Sequence, residues 1–265
     1  MKTRILSAIV ALAVLFAVIL CGNIWVLKIA AAVISVIGLF ELYRAFDYLS
    51  HRLLVGIGMI TGALIPLLPS LSLIVTVLLI DLVLGAAVML SRPGAVSFSD
   101  LTNLLFFQIY VPCSLACLVW VRQAEFGFYA IWLILGGAWL TDTFAYFTGR
   151  AFGKRKLCPH ISPHKTVAGA IGGLVGTTAA ALLYGLFLDQ TITVHYLPLM
   201  GLGLSLGLLA QIGDLTASWI KRERGIKDFG NLMPGHGGIM DRFDSILFTA
   251  PAVCLFLAHF TLFVK

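Results

Sequence analysis

Read for its alternation of oily and polar positions, the chain is a succession of long apolar runs separated by short polar stretches. The runs cover residues 5–22, 24–43, 53–69, 71–90, 103–121, 128–148, 168–188, 197–220 and 241–263. Each has about 17 to 25 residues, enough for a helix to cross roughly 30 Å of hydrocarbon while satisfying its own backbone groups. The pattern predicts an all-α, polytopic integral membrane protein with about nine transmembrane helices. The polar stretches reach about 20 residues at most, too few for a soluble domain with its own core. Residues 1–127, helices one to five, are therefore expected to pack and face lipid. Residues 128–265, helices six to nine with their loops, complete one integrated membrane domain.

Composition agrees with this reading: 60% of the 265 residues are apolar and 11% charged, with a mean hydropathy of +1.02. The basic residues set the orientation. With a cytoplasmic N-terminus and an outer C-terminus, all of the 18 Lys and Arg residues except Lys28, Arg122 and Lys265 fall inside, the bias expected of cytoplasmic loops. The net charge of +6 is accounted for by loops facing anionic headgroups or phosphorylated ligands, with no need of nucleic acid. Lys2 and Arg4 before an apolar run would also suit a signal peptide, but no small-x-small cleavage site follows. Cys21, Cys113, Cys117 and Cys254 lie in apolar runs, and the Cys158, His160, His164 cluster lacks a fourth zinc ligand.

Chemistry is sparse in the first five runs. Gly58 and Gly62 are spaced for close helix packing, and Glu41 with Arg44 is expected to close the second helix and reach water. Asp81, near the middle of the fourth run, reads equally as a functional acid or a structural one. RPGAVSFSD (92–100) is a loop. Further on, Asp142 and Tyr146 share a helix face. The stretch GRAFGK (149–154) has the wrong spacing for a phosphate loop. ISPHKTVAGAIGG (161–173) places Ser162, Lys165 and Thr166 before a glycine-faced helix, where they would either cap the helix or receive a phosphate. Asp214, Ser218 and Lys221 align on one face of the eighth helix.

The densest polar stretch is 218–244, SWIKRERGIKDFGNLMPGHGGIMDRFD. Its Ser218, Lys221, Arg222, Lys227, Asp228, Gly230, Pro234, His236, Gly237, Gly238, Asp241, Arg242 and Asp244 resemble the signature of the phosphatidate cytidylyltransferase (CDP-diacylglycerol synthase) family. Asp142, Phe144, Ala145, Tyr146 and Gly149 resemble a second block of it. Ala168, Ala217 and Phe229 depart from the residues that family members often carry there. The resemblance implies that CTP and phosphatidic acid react to give CDP-diacylglycerol and pyrophosphate for phospholipid biosynthesis. It also implies a multi-pass enzyme of the cell inner (plasma) membrane, with its site at the cytoplasmic side, and a homodimer.

On this reading Asp214, Asp241 and Asp244, together with Asp142, would hold one or two Mg2+ ions alongside a monovalent ion, because hard oxygen ligands suit magnesium bound to a triphosphate. Lys221, Arg222, His236, Asp241 and Asp244 would be catalytic. Ser162, Lys165, Thr166, Ser218, Lys227, Asp228, Gly237, Gly238 and Arg242 would bind substrate, with the glycines letting backbone approach the ligand. Asp241 and Asp244 are expected on one face at the start of the ninth helix. Two other readings compete: an ion-coupled secondary transporter, suggested by intramembrane acids and glycine-rich helices, and a divergent paralogue without activity.

Overall fold

The computed structural model describes residues 2–233, 235 and 237–265, with side-chain detail from residue 9. Its helices are α1 (Lys2–Leu20), α2 (Ile24–Ala45), α3 (Arg52–Leu64), α4 (Leu71–Ser91), α5 (Phe98–Gln108), α6 (Ser114–Gln123), α7 (Gly127–Phe152), α8 (Val167–Leu188), α9 (Tyr196–Glu223), α10 (Met240–Phe243) and α11 (Ile246–His259). Six spans among the described residues are long and apolar enough to cross a membrane: α2, α4, α5 with α6, α7, α8 and α9. Shorter apolar helices cover Ile9–Leu20, Arg52–Leu67 and Ile246–His259. Each of the nine apolar runs contains helix, six spans reach membrane-crossing length, and the chain is an all-α membrane protein.

Local chemistry explains where the boundaries differ from the apolar pattern. The fifth span begins at Phe98, inside the stretch expected to be a loop, because Ser97 and Asp100 form a capping box: the Asp100 N–H donates to Ser97 Oγ at 3.2 Å and the Ser97 N–H to Asp100 Oδ2 at 2.7 Å. Pro112 interrupts that span with a π-helical turn at Ile109–Cys113. GRAFGK is mostly the last turn of α7, so it forms no phosphate loop. The ninth run is not one helix. It breaks into the single turn α10 and the 14-residue α11, so Asp241 lies in α10 while Asp244 lies in the turn after it. Four short strands occur among the described residues: β1 (Lys156–Cys158) pairs antiparallel with β2 (Ser162–Thr166), and β3 (Thr193–Val194) with β4 (Phe263–Val264).

The chain divides into two units. The first comprises residues 1–119 and Arg224–Arg242, so the polar stretch after α9 groups with the early helices. Leu39, Leu42, Tyr43, Leu54, Leu104 and Phe107 are buried at its centre. A Cβ on Gly58 would overlap the Tyr43 hydroxyl and one on Gly62 would overlap Leu39, so both glycines serve close packing of α3 on α2. Lipid supplies no hydrophobic force between helices, which leaves close contact and polar bonds to join them. Ser35 Oγ accordingly donates to the Gly62 carbonyl at 2.7 Å, and Gln108 Nε2 to the Gly58 carbonyl at 2.7 Å. Asp81 is fully buried on α4 in this unit.

The second unit comprises Trp120–Glu223 and Phe243–Lys265, and joins α7, α8, α9 and α11. The small residues of α8 let it lie close against α7. A Cβ at Gly173 would stand 3.1 Å from the Thr141 carbonyl, and Thr141 and Thr177 share a hydroxyl hydrogen bond of 2.7 Å. From the first turn of α11, Thr249 Oγ1 donates to the Ile134 carbonyl of α7 at 3.2 Å.

Candidate functional site

In the second unit three acids come within electrostatic reach of one another. Asp142 is exposed on α7, Asp214 is half-buried on α9, and Asp244 is half-buried in the turn leading into α11. Gly213 makes the third placement possible, since a Cβ there would stand 2.6 Å from the Asp244 carbonyl oxygen. Ser245, buried beside it, fixes the turn by donating its hydroxyl to the Ala210 carbonyl at 3.0 Å, while its N–H donates to Asp244 Oδ1 at 2.7 Å. The Lys165 ammonium forms an ion pair with the Asp214 carboxylate. Burial first, and the Asp214 charge second, push the Asp244 carboxyl up to about 7, with Asp142 adding to the rise; the Ser245 N–H and the Lys221 charge oppose it. Ser218 and Lys221 are half-buried on α9 with Asp214.

The hairpin before α8 settles which hydroxyl caps that helix. Thr166 is the N-cap, its Oγ1 accepting from the Gly169 N–H at 3.1 Å. The same oxygen would be 2.9 Å from a Cβ at Gly149 and 2.6 Å from one at Gly153, so the glycines flanking the end of α7 make room for it. Ser162 is half-buried at the other end of β2, across from Cys158. Arg222 donates from Nε to the Ile161 carbonyl at 3.3 Å and ties α9 to the hairpin. Replacing Thr166 with Ala is expected to cost about 1 kcal/mol of stability. Thermal melting in detergent would show this as a lower midpoint; an unchanged midpoint would mean the cap is dispensable.

A second cluster occupies the first unit. Asp241 is 8% exposed, and its Oδ2 accepts the N–H groups of Phe229 at 2.8 Å and Gly238 at 2.9 Å. It thereby ties the two ends of the 229–238 loop to α10. Within the loop the Met233 N–H donates to the Gly237 carbonyl at 3.0 Å, and Gly237 has φ +82°, a conformation that favours glycine. Lys227, Asp228 and Arg242 lie exposed around the loop. His236 and Pro234 lie outside the described residues. Asp241 and Asp244, expected side by side on one helix face, instead belong to different units, because the helix breaks between them.

Glu41 overturns the expectation that it reaches water from the end of α2. It is 3% exposed, with Oε1 accepting from the Ile239 N–H at 3.0 Å and Oε2 from the Met240 N–H at 2.9 Å. Three residues on, Arg44 Nη2 donates to the Phe229 carbonyl at 2.6 Å. Gly238, expected to bring backbone close to a ligand, brings it close to the Glu41 carboxylate: a Cβ at Gly238 or at Gly230 would overlap that group. The sequence carried one signal of this. Glu41 continues the seam of small residues Ala31, Ser35 and Gly38 that α2 turns inward.

The donors of the second unit suit a hard divalent ion, because Asp142, Asp214 and Asp244 are carboxylates whose mutual repulsion a cation would relieve. No group of three or more Asp, Glu, His or Cys side chains near enough to hold a metal ion together exists among the described residues. One or two of these carboxylates would suffice for Mg2+, which takes its remaining ligands from water and substrate phosphates.

Comparison with known proteins extends over nearly the whole chain. A model described as the cytidylyltransferase family matches residues 2–260. A phosphatidate cytidylyltransferase of Staphylococcus saprophyticus is 36% identical over 263 residues, covering 97% of this chain and 99% of that protein. Proteins of the same name from Staphylococcus aureus, 35% identical over 97% of this chain and 99% of theirs, and from Bacillus subtilis, 34% identical over 98% and 99%, match to similar extent.

Proposed function

The chain belongs to the cytidylyltransferase family, and on that premise we propose that it transfers the cytidylyl group of CTP to phosphatidate, giving CDP-diacylglycerol and pyrophosphate. A phosphate oxygen of the lipid forms a bond to the α-phosphorus of CTP as the bond to pyrophosphate breaks. The observation that carries this reading is the group of Asp142, Asp214 and Asp244 with Lys165 in the second unit.

Both substrates are strongly anionic, so catalysis is chiefly positioning and neutralisation of charge. Asp214 and Asp244 would hold a divalent ion, which when bound supplies Lewis-acid charge to phosphate oxygens, and Asp142 would add negative charge beside them. Asp214 holds the Lys165 ammonium in place before substrate arrives. Lys165 and Lys221 would present positive charge to the phosphates, while Arg222 braces the hairpin beside them. Ser218, on α9 with Asp214, would add a hydroxyl contact; in the first unit Lys227, Asp228 and Arg242, exposed beside the loop that Asp241 ties, would supply substrate contacts of their own, with Gly237 in the loop. No protein nucleophile is needed, because the attacking phosphate is already ionised at neutral pH. The basic loops support a site at the cytoplasmic side of the inner membrane, where CTP is available.

The test is label transfer by purified protein. With phosphatidate in mixed micelles and Mg2+, radiolabel from α-labelled CTP is expected in the chloroform-soluble fraction with stoichiometric pyrophosphate release, and EDTA is expected to stop it. Protein that melts cooperatively yet transfers no label would refute the reading.

A further inference from the structure

We propose that Glu41, with Arg44 beside it, is a positioning residue: it clamps the 229–241 loop so that Lys227, Asp241 and Arg242 are held in working register. The proposal deepens the cytidylyl-transfer reading and rests on it for its kinetic part.

The geometry supporting it is local to the first unit. A carboxylate at 3% exposure in a membrane protein is expensive to desolvate unless its oxygens are bonded. Glu41 uses both, one on each of two consecutive backbone N–H groups, Ile239 at 3.0 Å and Met240 at 2.9 Å. A side chain that merely packed would need neither. Two acids then divide the loop between them. Glu41 holds the 239–240 amides, and Asp241 holds those of 229 and 238. Arg44 takes the remaining polar group of Phe229, its carbonyl, at 2.6 Å. Both groups of the Phe229 backbone are thus bonded to ionised side chains, and such bonds are roughly twice as strong as neutral ones.

Glycine at 230 and 238 completes the fit, because any side chain at either position would collide with the Glu41 carboxylate. The loop sequence and Glu41 are therefore one device, although 198 residues separate Glu41 from Ile239. The two ends of the loop, at Phe229 and at 238–240, are held at five points by three charged side chains and are pre-organised. Misplacing reacting groups by about 1 Å costs on the order of 100-fold in rate, which is the scale of loss expected when the clamp is cut.

The test pairs Glu41→Gln with Gly238→Ala. The first leaves one acceptor where two are needed and turns an NH2 group toward an N–H. The second crowds the same contact from the loop side and leaves the glutamate intact. Hydrogen exchange at Ile239 and Met240, and kcat per folded molecule with KM for CTP, are measured in each. The expected result is faster exchange at both amides in both variants, with kcat down about 10- to 100-fold and KM for CTP within about threefold.

A purely stabilising contact would lower the melting point and leave turnover per folded molecule unchanged, and that outcome would overturn the positioning role. Unaltered exchange at 239 and 240 in Glu41→Gln would overturn the clamp itself. If wild-type protein transfers no label, the functional reading fails, and exchange alone then decides the clamp: amides that open uphold it and amides that stay protected end it.

Discussion

Asp244→Asn is expected to abolish label transfer while leaving the protein as stable as the wild type, or more so, above pH 7. Loss of one anionic donor removes several kcal/mol of charge stabilisation in the transition state, about 10^3-fold in turnover. Stability moves the other way for an electrostatic reason. Burial and the neighbouring Asp214 charge raise the Asp244 carboxyl to about 7 from its ordinary value of 3.8. An acid whose folded pKa is raised loses stability for the fold as pH climbs from its unfolded value through its folded one. Between about pH 4 and 7 the wild type should therefore lose stability that the amide variant keeps. Label transfer and melting curves from pH 5 to 8, without added divalent ion, check both halves. A variant that melts well below the wild type at pH 8 would show that the carboxylate is structural.

The second large effect has the opposite signature. Asp241→Ala should lower both activity and stability, because Oδ2 of Asp241 is the acceptor for two backbone N–H groups, those of Phe229 and Gly238. An orphaned buried donor costs about 1 to 3 kcal/mol. Asp241→Asn retains one carbonyl oxygen that can accept and should fall between wild type and Ala. Melting curves rank the three proteins, and equal midpoints for wild type and Ala would remove Asp241 from the loop. Together the two experiments separate acids that stand three residues apart in the chain and that sequence spacing treats as equivalent.

The difference between those acids marks where local pattern stops being informative. A helix of Asp241 through residue 263 satisfies the apolar pattern, but the chain breaks at Asp244 and Ser245, where Gly213 admits the Asp244 backbone and the Ala210 carbonyl takes the Ser245 hydroxyl. Thr166 and Arg222 show the same limit. Each was a candidate for phosphate, and each is engaged with protein backbone, at Gly169 and Ile161 respectively. Spacing shows which groups share a helix face, but it does not show which backbone group another element brings to them.

What the amino-acid sequence determined by itself was the class of the molecule, its apolar helices, and the polar block after α9 with the family it resembles. These follow from properties counted along the chain: the length of an apolar run, the bias of basic residues, the spacing of glycines and acids. Only the tertiary structure decided that Glu41 turns inward and binds backbone 198 residues away, that Asp241 ties a loop, and that Asp142, Asp214 and Asp244 share one electrostatic neighbourhood. Hydrophobic periodicity is a short-range signal carried by each segment alone. The partner of a buried carboxylate is set by whichever unpaired N–H groups the packed helices bring to it.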